Sequence, residues 1–292
     1  MTIAAPCVTC ILGQVEKTLA VMEIDPATAE KIRAEALAMS HSFSYEHTPP
    51  FVAKDVYQMI SRLSGNDDPL HEVKQESMRN AAEHLPFIHE QIAASSDPLF
   101  AALKAAVAGN VIDFGAKEQF DLAEEIGSVF RTDFAVNDYA SLNADIQKHA
   151  RIMILADNSG ENVYDKVLMA TIKNLYPSKQ IQYVVRGRPI INDITVTEAK
   201  QVGIDSVAEI VDSGVDTPGL DLLRADEGFA AQFEKAPLVI AKGMGNYECL
   251  EGSAKSIYFL FKVKCEVVAG SVNAPIGSLI LKHQNISSHQ LI

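Results

Sequence analysis

The apolar residues of this chain fall into two textures. Over the first part they recur at three- and four-residue spacing, in Val15 to Met22, Thr28 to Met39, Val52 to Leu63 and Val73 to Ile92. Asp97-Pro98 then opens a further helical stretch through Ala108. That period predicts amphipathic helices, and Pro26, Pro49-Pro50 and Pro69 fall between them. After Asn137-Asp138-Tyr139 the texture changes. Short β-like runs at 151–156, 181–185, 207–211, 237–241 and 265–269 alternate with helical stretches, the signature of parallel βαβ units. The expected architecture is α/β. A mainly helical region covers 1–140, and a Rossmann-like three-layer α/β/α core with a mostly parallel sheet covers 141–292. No internal repeat or low-complexity segment interrupts it, and the polar end from Asn285 to Ile292 is expected to fray.

Three of the expected strands end in residues that carry chemistry. Arg151-Ile152-Met153-Ile154-Leu155-Ala156 leads into Asp157-Asn158-Ser159-Gly160-Glu161, which opens the amphipathic stretch Asn162 to Leu175. The Asp157 carboxylate and Asn158 amide oxygen are hard ligands suited to Mg²⁺ or Mn²⁺, and backbone N–H groups at a helix start can receive phosphate oxygens. The same residue types are ordinary helix caps. Ile181-Gln182-Tyr183-Val184-Val185 leads through Arg186-Gly187-Arg188 to Asn192-Asp193, so Asp193 leaves the same sheet edge as Asp157. Ligands collect at that edge in open α/β sheets, although Asn192 or Asp193 would also serve as a cap. Pro237-Leu238-Val239-Ile240-Ala241 is followed by Lys242-Gly243-Met244-Gly245-Asn246. A lysine beside glycines offers a point charge and a backbone that a phosphate can approach. It equally fits a glycine-rich turn with a solvated lysine, and it lacks the residue order of a P-loop.

Taken together, these segments resemble the damage-control phosphatase family, also described as domain of unknown function 89. The resemblance also rests on Pro189 through Thr195, Ser213-Gly214-Val215-Asp216 and Gly109-Asn110-Val111-Ile112-Asp113, and it covers nearly the whole chain in the expected order. Cys7-Val8-Thr9-Cys10 points to its smaller, microbial branch. The resemblance implies a divalent metal (Mg²⁺, Mn²⁺, Co²⁺ or Ni²⁺) on Asp157, Asn158 and Asp193, with Lys242 binding phosphate. It also implies that Asn110 and Asp113 lie near the substrate. Ser159, Gly160, Glu161 and Asn246 complete the expected substrate-binding set. The implied activity is hydrolysis of phosphomonoesters of small metabolites, such as sugar phosphates or related damaged compounds. Two alternatives are an S-adenosylmethionine-dependent carboxyl methyltransferase and a non-catalytic metal- or metabolite-sensing module. The first is disfavoured because no GxGxxG loop follows the first strand.

Composition narrows the partners. A formal charge of −13, from 25 basic and 38 acidic residues, argues against a nucleic-acid surface, since no Lys/Arg cluster stands out. A local basic pocket around Arg186, Arg188 and Lys242 would suit a small anion. No apolar run approaches the roughly 20 residues needed to span a bilayer, and no secretory signal opens the chain. The expected partner is a small phosphorylated metabolite and the expected compartment the cytoplasm. Oligomeric state is not legible. Four cysteines do not form a disulfide framework. Cys7-x-x-Cys10 reads as half of a zinc site completed by Cys249 or Cys265, as a redox pair, or as two small packed residues. The eight histidines show no ligand spacing.

Overall fold

The computed structural model describes residues 1–109 and 119–285, so Asn110, Asp113 and the tail from 286 lie outside the described residues. Six helices come first: α1 (Ala5–Val21), α2 (Pro26–Ser40), α3 (Pro49–Ser64), α4 (His71–Glu83), α5 (Leu85–Ala94) and α6 (Pro98–Ala108). Proline sits in the first turn of α1, α2, α3, α5 and α6, where its missing N–H has no helical partner to lose. Side chains of Asp25, Thr48 and Asp97 cap α2, α3 and α6. The single helix expected over Val73 to Ile92 is two, broken at His84. Pro86 explains the break, because inside a continuous helix its ring would clash with the preceding turn.

The remainder builds a seven-stranded sheet. Its elements are α7 (Gln119–Arg131), β1 (Phe134–Asn137), α8 (Tyr139–Lys148), β2 (Arg151–Leu155), α9 (Glu161–Leu175), β3 (Gln180–Val185), α10 (Val196–Gln201), β4 (Glu209–Asp212), α11 (Glu227–Lys235), β5 (Val239–Lys242), α12 (Gly243–Leu250), β6 (Ile257–Lys262), α13 (Glu266–Val272) and β7 (Leu279–Gln284). The strand order is β1-β7-β6-β5-β2-β3-β4. All neighbours pair in parallel except β6 with β7.

Both faces of the sheet are covered, and the strand alternation shows how. Ile152 and Ile154 of β2 join the core beneath α4 to α9, whereas Met153 and Leu155 join the core shared with α11, α12 and α13. Helices α1, α2 and α3 form a third apolar cluster, which includes Ile190 from the loop after β3. β1 joins the sheet although it lies before residue 140, and α4 to α6 share the core of one sheet face. Among the described residues no helix is long and apolar enough to cross a membrane.

One expected strand is a helix. The run 265–269 forms the start of α13, with Cys265 at its N-cap, its sulfur accepting from Val268 N, and Asn273 ending it in the left-handed region at φ 52°. A short apolar run does not by itself distinguish strand from buried helix. The strand lies just upstream, in the fully apolar Ile257-Tyr258-Phe259-Leu260-Phe261 of β6. β1 and β7 were likewise not foreseen.

Candidate active site

The chain leaves β2 toward β3 on one side and returns through β5 on the other, so β2 and β5 are neighbours whose connections diverge. Such a switch point opens a crevice at the carboxyl ends of the strands. Asp157 follows β2 there, and Lys242 ends β5. Gly243 has φ 75°, and a Cβ at that position would collide with the Asp157 carboxylate. The glycine beside Lys242 is therefore needed both for its backbone conformation and for the space the aspartate occupies.

The loop after β3 is laced to the loop after β2. Asn158 and Asp193 form an isolated antiparallel bridge. Ser159 N donates to Asn192 O at 2.8 Å, and Ile194 N to Asp157 O at 3.0 Å. This pairing carries Asp193 back beside Asp157. Ile191, just before it, adopts φ 47°, a conformation that a β-branched residue rarely accepts.

The capping explanations do not hold. Helix α9 has Gly160 at its N-cap, at φ 97° and with no side-chain cap bond. Helix α10 is capped by Thr195, whose hydroxyl accepts from Thr197 N, with Glu198 closing a capping box. Asp157, Asn158 and Asp193 thus serve neither helix as a cap. Neither is Lys242 solvated, since its side chain is fully buried.

Lys242 has partners that sequence reasoning did not anticipate. Its ammonium donates to Ala106 O at 2.9 Å and Glu161 Oε2 at 2.8 Å, and it lies 2.8 Å from Asp165 Oδ1. With these contacts in place, the expected direct grip on phosphate would require one of them to be given up. Burial works against the lysine's charge, but Asp165 and Glu161 hold its pKa above the ordinary value. Glu161 and Asp165 stand four apart on α9, which puts both on the same helix face. That spacing was the available signal.

The backbone cradle expected at the start of α9 is also engaged. Ser159 N serves Asn192, Gly160 N donates to Asn162 Oδ1 at 3.0 Å and Glu161 N to Asn158 O at 3.1 Å. The interlaced loops use the amides that a phosphate was expected to meet. Ser159 Oγ, by contrast, is buried without a partner among the described residues.

Arg186, also buried, donates through Nε to Asp193 Oδ2 at 2.7 Å and through Nη2 to Asn246 Oδ1 at 3.2 Å, while its Nη1 has no partner among the described residues. Asn246 further accepts from Leu220 N and donates to Ala156 O and Lys242 O. All four of its hydrogen-bonding positions are filled, so it ties the ends of β2 and β5 together. With Arg186 and Lys242 engaged and Arg188 exposed, these three residues do not line a basic pocket.

Four buried carboxylates, Asp157, Glu161, Asp165 and Asp193, share two buried cations, Arg186 and Lys242. The imbalance is visible in the acids. Burial, then Glu161 and Asp193, raise Asp157 well above the usual carboxylate range. Asp193 is pushed up to about 6 by burial, against the pull of Arg186. Glu161 is raised by burial despite Lys242.

Asp157, Asn158 and Asp193 open onto a cavity of about 610 Å³. Its far walls come from α1 and α3, including Ile11, Ala53 and Tyr57, and its lysines are Lys17 and Lys264. The N-terminal helices therefore roof the strand ends. A separate group, Asp68, His71 and Glu198, brings three ligand atoms within 4.8 Å of one another. Lys74 Nζ already lies 2.6 Å from Asp68 Oδ2 and 2.8 Å from Glu198 Oε1, so an ammonium supplies the positive charge there.

Known proteins are similar to this chain over nearly its whole length. The chain is 32% identical to an uncharacterised protein of Methanocaldococcus jannaschii, across 94% of this chain and 93% of that one. It is 29% identical to a damage-control phosphatase of Archaeoglobus fulgidus, across 97% and 99%. The crystal structure of a DUF89 family protein from Pyrococcus horikoshii superposes with a TM-score of 0.89 at 27% identity, covering 97% of this chain and 99% of the other. Residues 3–280 match the Damage-control phosphatase ARMT1-like domain, and the chain belongs to that family.

Proposed function

We propose that this protein is a divalent-metal-dependent phosphatase acting on phosphomonoesters of small metabolites, sugar phosphates or related damaged compounds. The observation that carries the reading is the charge imbalance at the strand ends. Among the described residues there, four buried carboxylates share two buried cations, and burial raises the pKa of Asp157, Glu161 and Asp193, because burying unpaired charge is costly. A divalent cation supplies the missing charge. Asp157 and Asp193 offer carboxylate oxygens and Asn158 an amide oxygen on the cavity surface, a hard-oxygen set suited to Mg²⁺, Mn²⁺, Co²⁺ or Ni²⁺. When bound, such an ion would offset charge on the transferring phosphoryl group and lower the pKa of water.

The chain's own residues position the site. Asn158 Nδ2 donates to Asp157 Oδ2 at 3.0 Å, and Arg186 fixes Asp193. Lys242 acts one layer down, pairing with Glu161 and Asp165 beneath the cavity, and Asn246 clamps the two strand ends. Both are assigned here as positioning residues. A phosphate entering the cavity would meet Asp157, Asn158 and Asp193 on its floor, with Lys264 on the wall. Phosphoryl transfer depends mainly on such positioning and on electrostatics. The rest of the substrate would lie against α1 and α3, which makes those helices the specificity surface. Asn110 and Asp113 keep their expected place near the substrate as part of the proposal.

The test is phosphate release from a panel of small phosphate esters, with and without chelator. Activity should disappear in chelator and return with one of the four ions. Asp157→Asn and Asp193→Asn should abolish both turnover and calorimetric metal binding while keeping the native circular dichroism spectrum. Full turnover by a protein shown to be free of metal would overturn the reading.

A further inference from the structure

The Cys7-x-x-Cys10 pair has no part in the chemistry above, and the fold gives it company. Cys7 and Cys10 lie one turn apart on α1 and line the cavity. Cys265, which follows β6 at the carboxyl edge of the sheet, lines the same cavity, as does Glu248 of α12. Cys249 does not. Its sulfur is directed toward Gly219, which removes it from the two partners that the sequence left open. Three of the chain's four cysteines, from opposite ends of the sequence, therefore line one cavity, close enough for Cys265 and Glu248 to act electrostatically on Cys7 and Cys10, although their ligand atoms do not all lie within 4.8 Å of one another.

We propose that Cys7, Cys10 and Cys265, with Glu248 as fourth donor, form a second metal site for a thiophilic divalent ion such as Zn²⁺. Two sulfurs separated by two residues, a third from another element and one carboxylate are the donor types of a tetrahedral zinc site. Packing alone is a poor account of the set, because Cys10 is exposed. The electrostatics favour metal over redox chemistry. Desolvation by the surrounding cavity walls raises the pKa of both Cys7 and Cys10, although Cys10 keeps some solvent contact, and Cys265 and Glu248 add to that rise. Thiols held protonated are slow nucleophiles, whereas a metal displaces the proton outright.

The sulfurs do not yet share one coordination sphere. Cys7 Sγ accepts from Ala4 N and Cys265 Sγ from Val268 N, each at 3.5 Å. Binding exchanges these weak bonds for metal–thiolate bonds, and each thiol releases its proton to solvent. The site takes soft ligands and a soft ion. It is chemically distinct from the oxygen set of Asp157, Asn158 and Asp193 and does not depend on the phosphatase reading.

Cadmium is the probe, since only thiolate ligation gives the cadmium–thiolate charge-transfer absorption. Reduced, metal-stripped protein titrated with Cd²⁺ should saturate at one thiolate-bound equivalent. Cys10→Ser and Cys265→Ser should each reduce the band and weaken binding by more than about 100-fold, beyond the roughly ten- to hundred-fold cost of losing an outer-shell partner. Cys249→Ser and Asp157→Asn should leave it unchanged. Circular dichroism confirms folding, and Cys10→Ser, at an exposed position, serves as the decisive variant if Cys265→Ser fails to fold. Absence of the band in the wild type, an unaltered band in Cys10→Ser, or loss of the band in Cys249→Ser would overturn the site.

Discussion

Lys242 keeps its charge in a fully buried position because Glu161 and the carbonyl of Ala106 accept hydrogen bonds from it and Asp165 pairs with it at 2.8 Å. Removing one partner of a buried pair leaves the others unpaired, at a cost of roughly 3–5 kcal/mol. Lys242→Met should therefore lower the urea midpoint substantially, and adding Glu161→Gln should restore part of the loss. A midpoint equal to wild type in Lys242→Met would mean that the network contributes nothing to stability. Much of this residue chemistry was legible beforehand, but not all. Asp157, Asn158 and Asp193 stand out because apolar runs deliver them to one sheet edge. The partners of Lys242 were hidden because a sequence shows a lysine's charge and not its depth, and Asp165 reads as one more polar position on an amphipathic helix.

At the scale of elements, the caps decide what the polar residues are free to do. Thr195 and Glu198 start α10, so Asp193 is released from that duty. Glu198 also takes Lys74 at 2.8 Å. Burial pushes its pKa up, but hydrogen bonds from Lys74 and Thr195 prevail and hold it below the ordinary 4.5. A carboxyl with a depressed folded pKa contributes stability that is present above the unfolded value and is lost as pH falls through the folded one. The stability gap between wild type and Lys74→Met should therefore narrow as pH drops below 4.5. Urea midpoints measured across that range check it, and a gap independent of pH would refute the linkage. The helices were readable for a related reason. Prolines in the first turns and side-chain caps mark five of the first six, whereas the apolar run 265–269 carries no period long enough to separate a strand from a buried helix.

On the scale of the whole molecule, the topology forces like charges together. Adjacent β2 and β5 with divergent connections place Asp157 beside the end of Lys242's strand, and the interlaced loop after β3 adds Asp193. That Asp157 and Asp193 share a sheet edge was legible in the chain; that β2 and β5 are neighbours was not, because strand order follows from packing across the sheet and not from any local run. The arrangement predicts that the metal-free protein is strained by its own site. Replacing the Asp157 carboxylate by the isosteric amide in Asp157→Asn should raise the Tm measured in chelator, since it removes a carboxyl whose ionisation is opposed by burial first and then by Glu161 and Asp193. The same variant should lose the response to divalent ions. In the wild type, an ion that binds only the folded state adds about 2.7 kcal/mol of apparent stability at a concentration 100 times its Kd. Thermal unfolding of both proteins, in chelator and over a range of Mg²⁺ or Mn²⁺, therefore yields two opposite shifts from one substitution. Should Asp157→Asn prove less stable than wild type in chelator, the charge imbalance is not what the fold tolerates for the sake of a metal. A variant that kept the full ion-dependent rise in Tm would place the ion elsewhere.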